Sequence, residues 1–229
     1  MHDRRGSIRW ERLPKPTGGE RTIARLSPRD VTAYRLLVAP MVATIERSLG
    51  PRAFANRGTR TARVRPWEPA RRAWRVAAAS AMAAGDLTVV IGDVRDCYGS
   101  MGERALVALD AGDELVAFLR SLHAAGVRGL PVGPDPSAIL ANGILAIADR
   151  AAAAAGCRPI RWVDDVVVVA AGRRSAWRAF DAWRRTLQEL GLEAHDGKTR
   201  CFSTRSSGAA FAPRTSTPGT PRRGIIAQP

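Results

Sequence analysis

The sequence predicts an α+β fold: a small antiparallel sheet backed by helices, with carboxylates gathered at one edge. Two observations lead there. Apolar, β-branched runs at residues 87–91 and 166–169 alternate with longer stretches of helical periodicity. Each run also meets acid at one end, Asp93 after the first and Asp164-Asp165 before the second. Burying two neighbouring charges is costly unless something compensates them. No positive residue interrupts the stretch Val163 to Val169 to do so. A divalent metal is the obvious compensator, because a bound cation inverts the local charge logic.

The chain has 229 residues, 45% of them hydrophobic, which suits one large domain or two small lobes with a real core. No uninterrupted apolar span reaches about 18 residues, so no membrane helix and no membrane partner are expected. The N-terminus lacks the apolar segment of a secretory signal. Cys97, Cys157 and Cys201 are far apart without metal-knuckle spacing, which suits a reduced, cytoplasmic protein. A net charge of +15 favours a polyanion, and nucleic acid leads because no basic amphipathic helix stands out. The Arg- and Ala-rich composition of GC-rich genomes accounts for such a charge equally well. Against that bias only two lysines persist, Lys15 and Lys198. Lysine is a compact donor that can give up its proton, as arginine effectively cannot.

The elements follow in order. Residues 1–14 read as a flexible basic arm. Pro16-Thr17-Gly18-Gly19 is a turn signal, and Lys15 and Arg21 flank it as in a hairpin whose tip meets phosphates. Taken alone, the stretch fits an ordinary solvated hairpin better. Ser27-Pro28-Arg29-Asp30 opens a helix, with Ser as N-cap and Pro at the first helical position. Pro40 should kink it or split it in two, and it ends near Gly50-Pro51. Residues 52–68 are Arg-rich and irregular, and an Ala-rich helix spans about 69–84. A strand at 87–93 and helices at about 102–110 and 113–124 come next. A rigid Gly/Pro loop at 129–137 leads into a helix N-capped by Asp135 and closed by Gly156. A hairpin spans about 160–170, and a helix at 174–190 carries Trp177, Phe180, Trp183 and Leu187 as core residues. A turn holding Lys198 precedes a strand at 200–203. The tail 204–229, rich in Ser, Thr, Pro, Gly and Arg, should be disordered.

Short connections can set the Asp93 strand beside the Asp164-Asp165 hairpin, so that three carboxylates converge. Such a set suits hard Mg²⁺. Two such ions can activate a 3′-hydroxyl and stabilise a leaving pyrophosphate. In this order the motifs resemble those of the reverse transcriptases, RNA-directed DNA polymerases. Asp93-Val94-Arg95-Asp96-Cys97-Tyr98 is similar to their first palm motif, and Trp162-Val163-Asp164-Asp165 to their aromatic-x-Asp-Asp signature. Gly129-Leu130-Pro131-Val132-Gly133-Pro134-Asp135-Pro136-Ser137, with Asn142, resembles the second motif. Gly191-Leu192 followed by Lys198 resembles the fourth, and the resemblance covers about residues 10–203.

The resemblance implies a right-hand polymerase palm at 86–203, a ferredoxin- or RRM-like antiparallel sheet with helices on one face. It also implies a fingers-like region at 15–85. Asp93, Asp164 and Asp165 would bind two Mg²⁺ (Mn²⁺ as an alternative), with help from the Val94 carbonyl. Lys198 would give a proton to pyrophosphate. Lys15, Arg21, Tyr98, Gly133, Ser137 and Asn142 would contact the nucleotide, with Tyr98 as the gate against a ribose 2′-hydroxyl. Pro131 and Trp162 would meet primer and template. The implied partners are an RNA template, a DNA or RNA primer and dNTPs.

The departures from the family pattern are informative. Val132 stands where the family usually has Gln, as in abortive-infection and unknown-group bacterial enzymes used in phage defence. Retron, group II intron and diversity-generating enzymes are the alternatives. Trp162 replaces a Tyr or Phe. Nothing after residue 203 resembles the helical thumb that grips duplex product, which leaves that grip to a non-coding RNA or a protein partner. The same gap suits a catalytically impaired RNA-binding relative, whereas the intact acids oppose it.

Overall fold

The computed structural model describes residues 8–14, 18–83 and 85–204, and Arg21 by its backbone only. Lys15 and the tail from residue 205 lie outside the described residues. The chain opens with strands β1 (Arg9–Pro14) and β2 (Glu20–Arg25), paired antiparallel from Arg9↔Arg25 to Pro14↔Glu20. Residues 9–14 are thus a strand rather than a loose arm. Their hydrogen bonds to β2 order them, and Ile8, Ile23 and Ala24 are buried.

Helix α1 (Pro28–Ser48) starts as its sequence dictates: the Ser27 hydroxyl accepts from the Asp30 N–H at 3.1 Å. Tyr34, Val38, Val42 and Ile45 form its buried stripe at helical spacing. The helix runs through Pro40 unbroken. The carbonyl that Pro40 deprives of a donor belongs to Leu36, four residues back. Leu36 is 70% exposed, so water can reach it.

Helix α2 (Trp67–Ala83) leads to strand β3 (Thr88–Gly92), then the short helices α3 (Cys97–Ser100) and α4 (Glu103–Ala108), and α5 (Asp113–Ala124). Helix α6 (Asp135–Ala154) is N-capped by Pro134, one residue before the expected cap, so Asp135 lies in the first turn instead. By length and composition α6 could cross a membrane, contrary to expectation. Here it is the central core helix, packed by α1, α4 and α7 (Arg173–Glu189).

Strands β4 (Ile160–Trp162), β5 (Asp165–Ala170) and β6 (Arg200–Ser203) join β3 in an antiparallel sheet ordered β4-β5-β3-β6. Successive side chains point to opposite faces. Val90, Val166 and Val168 pack with Phe180 and Trp183 of α7, while Val89, Ile160, Trp162 and Val167 pack with Trp74 of α2. Helices therefore cover both faces, α6 and α7 on one side and α2 on the other, where one covered face was expected. The continuous run Val166–Val169 is the physical reason: a strand apolar on both sides needs cover on both.

Candidate active site

Backbone pairing brings the three aspartates together. Gly92 pairs with Val166, so Asp93, one step on, faces Asp165 at the head of β5. Gly92 is required there, since a Cβ would fall 2.4 Å from Phe180 of α7. Asp164 sits beside Asp165 in the two-residue turn Val163-Asp164, closed by the Trp162↔Asp165 pair. Val163 adopts φ +53°, a strained conformation for a β-branched residue.

Beyond β3 the chain pairs with a segment from the other side: His195 N–H donates to the Asp93 carbonyl at 2.7 Å, and Arg95 N–H to Glu193 at 2.8 Å. This pairing delivers Lys198, whose Nζ lies 2.8 Å from Asp93 Oδ2. By strand alternation it also turns the Val94 carbonyl away from residues 193–195, toward the β5 side.

The electrostatics are those of crowded acids. Asp93 is 5% exposed. Burial first, then the Asp93 charge, pushes the Asp164 carboxyl up to about 6, against the pull of Lys198 and Arg161. Burial, then the charges of Asp164 and Asp93, pushes Asp165 up to about 8, and a hydrogen bond with Asp93 adds to the rise. The three acids therefore resist being ionised together. Burial opposes the Lys198 charge, but its hydrogen bond to Asp93 and the three acids outweigh burial and raise it. No group of three or more His, Cys, Asp or Glu side chains among the described residues is arranged to hold a metal as it stands. The donor chemistry still fits a hard divalent cation: three carboxylates, one protonated and one tied to Lys198, whose mutual repulsion a cation would relieve.

Arg161, in the middle of β4 and without a role foreseen from the sequence, is central. Its side chain is 2% exposed. Nε donates to Asp149 Oδ2 at 2.6 Å, Nη1 to the Val163 carbonyl at 2.8 Å and Nη2 to the Asn142 carbonyl at 3.2 Å. The guanidinium thereby ties the strained aspartate turn to α6. A lone arginine in a buried strand, with an acid on the preceding helix, was the available signal.

Several residues expected at the nucleotide (Ser137, Asn142) or at primer and template (Pro131, Trp162) are buried. Ser137 is fully buried and donates to the Tyr34 hydroxyl at 3.1 Å. Asn142 is 2% exposed and donates to the carbonyls of Ala55 at 2.9 Å and Asn56 at 3.3 Å. Trp162 is 2% exposed, its ring centroid 5.6 Å from that of Trp74. Pro131 is buried as well. These side chains pack the frame, because α6 is buried on nearly every side and α2 covers β4. Gly133, at φ +119°, faces open space, and Arg21 is placed by its backbone pairing with Leu13.

Tyr98 is half-buried, and burial drives its hydroxyl far above the usual phenol range, offset by a hydrogen bond with Asn56. The loop after α5 docks on it: Leu130 N–H donates to the Tyr98 carbonyl at 2.9 Å, and His123 Nε2 lies 2.8 Å from the Gly129 carbonyl. Gly129 has φ +55°, and a Cβ there would sit 2.2 Å from the Tyr98 carbonyl oxygen. Gly129→Ala should therefore destabilise by about 3 kcal/mol, combining overpacking with backbone strain. The urea midpoint measures it; an unchanged midpoint would mean the loop does not need this close approach.

No family model matches the sequence, and no curated protein is detectably similar to it. Solved structures are. A telomerase from Candida tropicalis superposes with TM-score 0.56 at 10% identity, over 88% of this chain and 51% of that one. A Candida albicans telomerase bound to a fragment of telomeric RNA gives 0.55 at 11%, over 92% and 44%. The fold is polymerase palm-like. A structure described as an RdRp complex gives 0.54 at 10% identity, over 86% of this chain and 20% of that one. The palm-like chain thus spans about half the length of the telomerases it matches.

Proposed function

We propose that the protein is an RNA-directed DNA polymerase that adds dNTPs to a primer 3′-hydroxyl. One observation carries the reading: on a polymerase palm-like fold, Asp93, Asp164 and Asp165 meet at the adjoining ends of β3 and β5, with Lys198 on Asp93. Two Mg²⁺ held by these carboxylates and the Val94 carbonyl would lower the pKa of the primer hydroxyl and neutralise charge on the leaving pyrophosphate. The chain's own part is to position and to move protons. Asp165 would have to lose its proton to solvent to hold a cation, and the Lys198 ammonium, 2.8 Å from Asp93, would stand ready to protonate the leaving pyrophosphate as general acid. The loop from Gly129 to Gly133 braces Tyr98 against the incoming sugar. Arg21, Lys15 and the basic surface would take the triphosphate and the template. An RNA template, a DNA or RNA primer and dNTPs are the proposed partners, with a non-coding RNA or a second protein as further candidates. Val132 supports a role in bacterial phage defence, and the three free cysteines suit a reducing cytoplasm.

The test is primer extension with labelled dNTPs and Mg²⁺ or Mn²⁺ on RNA and DNA templates. Incorporation is expected. RNA binding with no incorporation on any template would favour the second reading, a catalytically impaired RNA-binding protein, which the net charge of +15 suits equally well. Tyr98→Ala should admit rNTPs, relaxing sugar discrimination on the order of a hundredfold, the scale on which a pocket rejects an added hydroxyl. Unchanged discrimination would remove Tyr98 from the gate.

A further inference from the structure

We propose that the segment between α1 and α2 holds a single-stranded nucleic acid, with one unstacked base lodged against Trp67. The chemistry of residues 52–75 points there. This stretch contains eight arginines and one acid, Glu68. Arg57 is engaged with Glu46 at 2.8 Å. Arg60, Arg63, Arg72 and Arg75 have no ion-pair partner among the described residues, and all four are exposed. Within this field Trp67 is 40% exposed, an unusual place for an indole, and the Arg71 guanidinium stands 5.5 Å from its ring centre. The Arg71 Nε is buried without a hydrogen-bond partner.

Beside the indole opens a cavity of about 300 Å³, lined by Phe54, Asn56, Arg57, Arg65 and Trp67 among others. Trp67 and Phe54 offer a base π-faces for stacking, and Arg65 with the exposed Arg60, Arg63 and Arg72 offers its phosphates positive charge. Stacking tolerates any base, whereas a duplex keeps its faces covered, so a single strand is the occupant.

The cavity also communicates with the aspartates. Asn56, on its wall, hydrogen-bonds Tyr98. The Asn56 and Ala55 carbonyls are held by Asn142, and Phe54 N–H donates to the Arg161 carbonyl at 3.2 Å. A strand leaving the cavity past Asn56 arrives at Tyr98, where a template base would pair with the incoming nucleotide. That destination rests on the polymerase reading; the binding surface does not.

The test is anisotropy of a fluorescein-labelled oligouridylate in EDTA, without dNTPs. Trp67→Ala should weaken binding about tenfold, Trp67→Phe should restore most of it, and Trp10→Ala, a more exposed indole on β1, should change nothing. An abasic strand should bind wild type and Trp67→Ala alike. Arg63→Ala and Arg72→Ala should each flatten the dependence of log affinity on log salt by about one. Equal affinity of wild type and Trp67→Ala, or tighter binding of duplex than of single strand, overturns the proposal. Because neither metal nor nucleotide is present, Trp67-dependent binding without any primer extension would sink the polymerase reading and leave this surface standing. Extension with no Trp67 dependence of binding would do the reverse.

Discussion

Asp164→Asn and Asp165→Asn should each abolish nucleotide incorporation, and Asp165→Asn should yield a protein more stable than the wild type above neutral pH. The loss of activity follows from removing one anionic donor of a metal pair, several kcal/mol of transition-state stabilisation and roughly a thousandfold or more in rate. The gain in stability follows from linkage. The folded-state pKa of Asp165, about 8, lies above its ordinary 3.8. Between those pH values the folded chain holds more protons than the unfolded chain, so stability falls as pH rises from about 4 to about 8 and levels off above. The full effect is on the order of a few kcal/mol, shared with Asp164 because the two titrate as a pair. Asparagine carries no charge and escapes the penalty. Urea midpoints in EDTA from pH 5 to pH 9 should slope downward for the wild type and nearly flatten for Asp165→Asn. Parallel profiles would mean that the proton is not held between these acids. Mg²⁺ should raise the wild-type midpoint at pH 8 and leave that of Asp165→Asn nearly unmoved.

Arg161→Met should destabilise the protein by about 3–5 kcal/mol, the scale for removing one partner of a buried ion pair. Whole domains hold only about 5–15 kcal/mol. The Asp149 carboxylate, 14% exposed, loses its cation, and the carbonyls of Val163 and Asn142 lose their donors. Replacing Asp149 as well, with leucine, should recover part of the loss, since the penalty comes from a charge left without its counterion. Incorporation should fall even where folding persists, because Asp164 follows the strained residue whose carbonyl Arg161 holds. A double variant no better than Arg161→Met alone would assign the loss to packing instead.

The pairing of the Asp93 strand with the aspartate hairpin was legible because it depends on period and order, whereas the place of β6 beside β3 was not. Apolar runs of strand length, each ending in acid and separated by helical stretches, leave few ways to pair. What stayed hidden depends on which side a residue faces. Ser137 and Asn142 lie on a helix buried nearly all round, so no polar face betrays where their side chains go. Trp162 alternates in register with its neighbours, and its environment is set by α2, roughly eighty residues earlier in the chain. Strand β1 alternates only between exposed and half-buried positions and carries three charges, so it reads as a loose arm until β2 pairs with it. Arg161 stayed hidden because it neutralises not the hairpin's own acids but Asp149, on a helix whose approach the local pattern does not reveal.

The packing of Trp74 on Trp162 gives the molecule a natural optical label. Two indoles with centroids 5.6 Å apart and planes inclined at 41° share their excited states, so together they should produce a circular-dichroism couplet that neither gives alone. Trp162 directly precedes the Val163-Asp164 turn, and Trp74 belongs to the helix that begins at Trp67. The couplet would therefore register any shift between the turn and that helix as metal or nucleic acid binds, with no dye attached. Trp74→Phe supplies the blank spectrum.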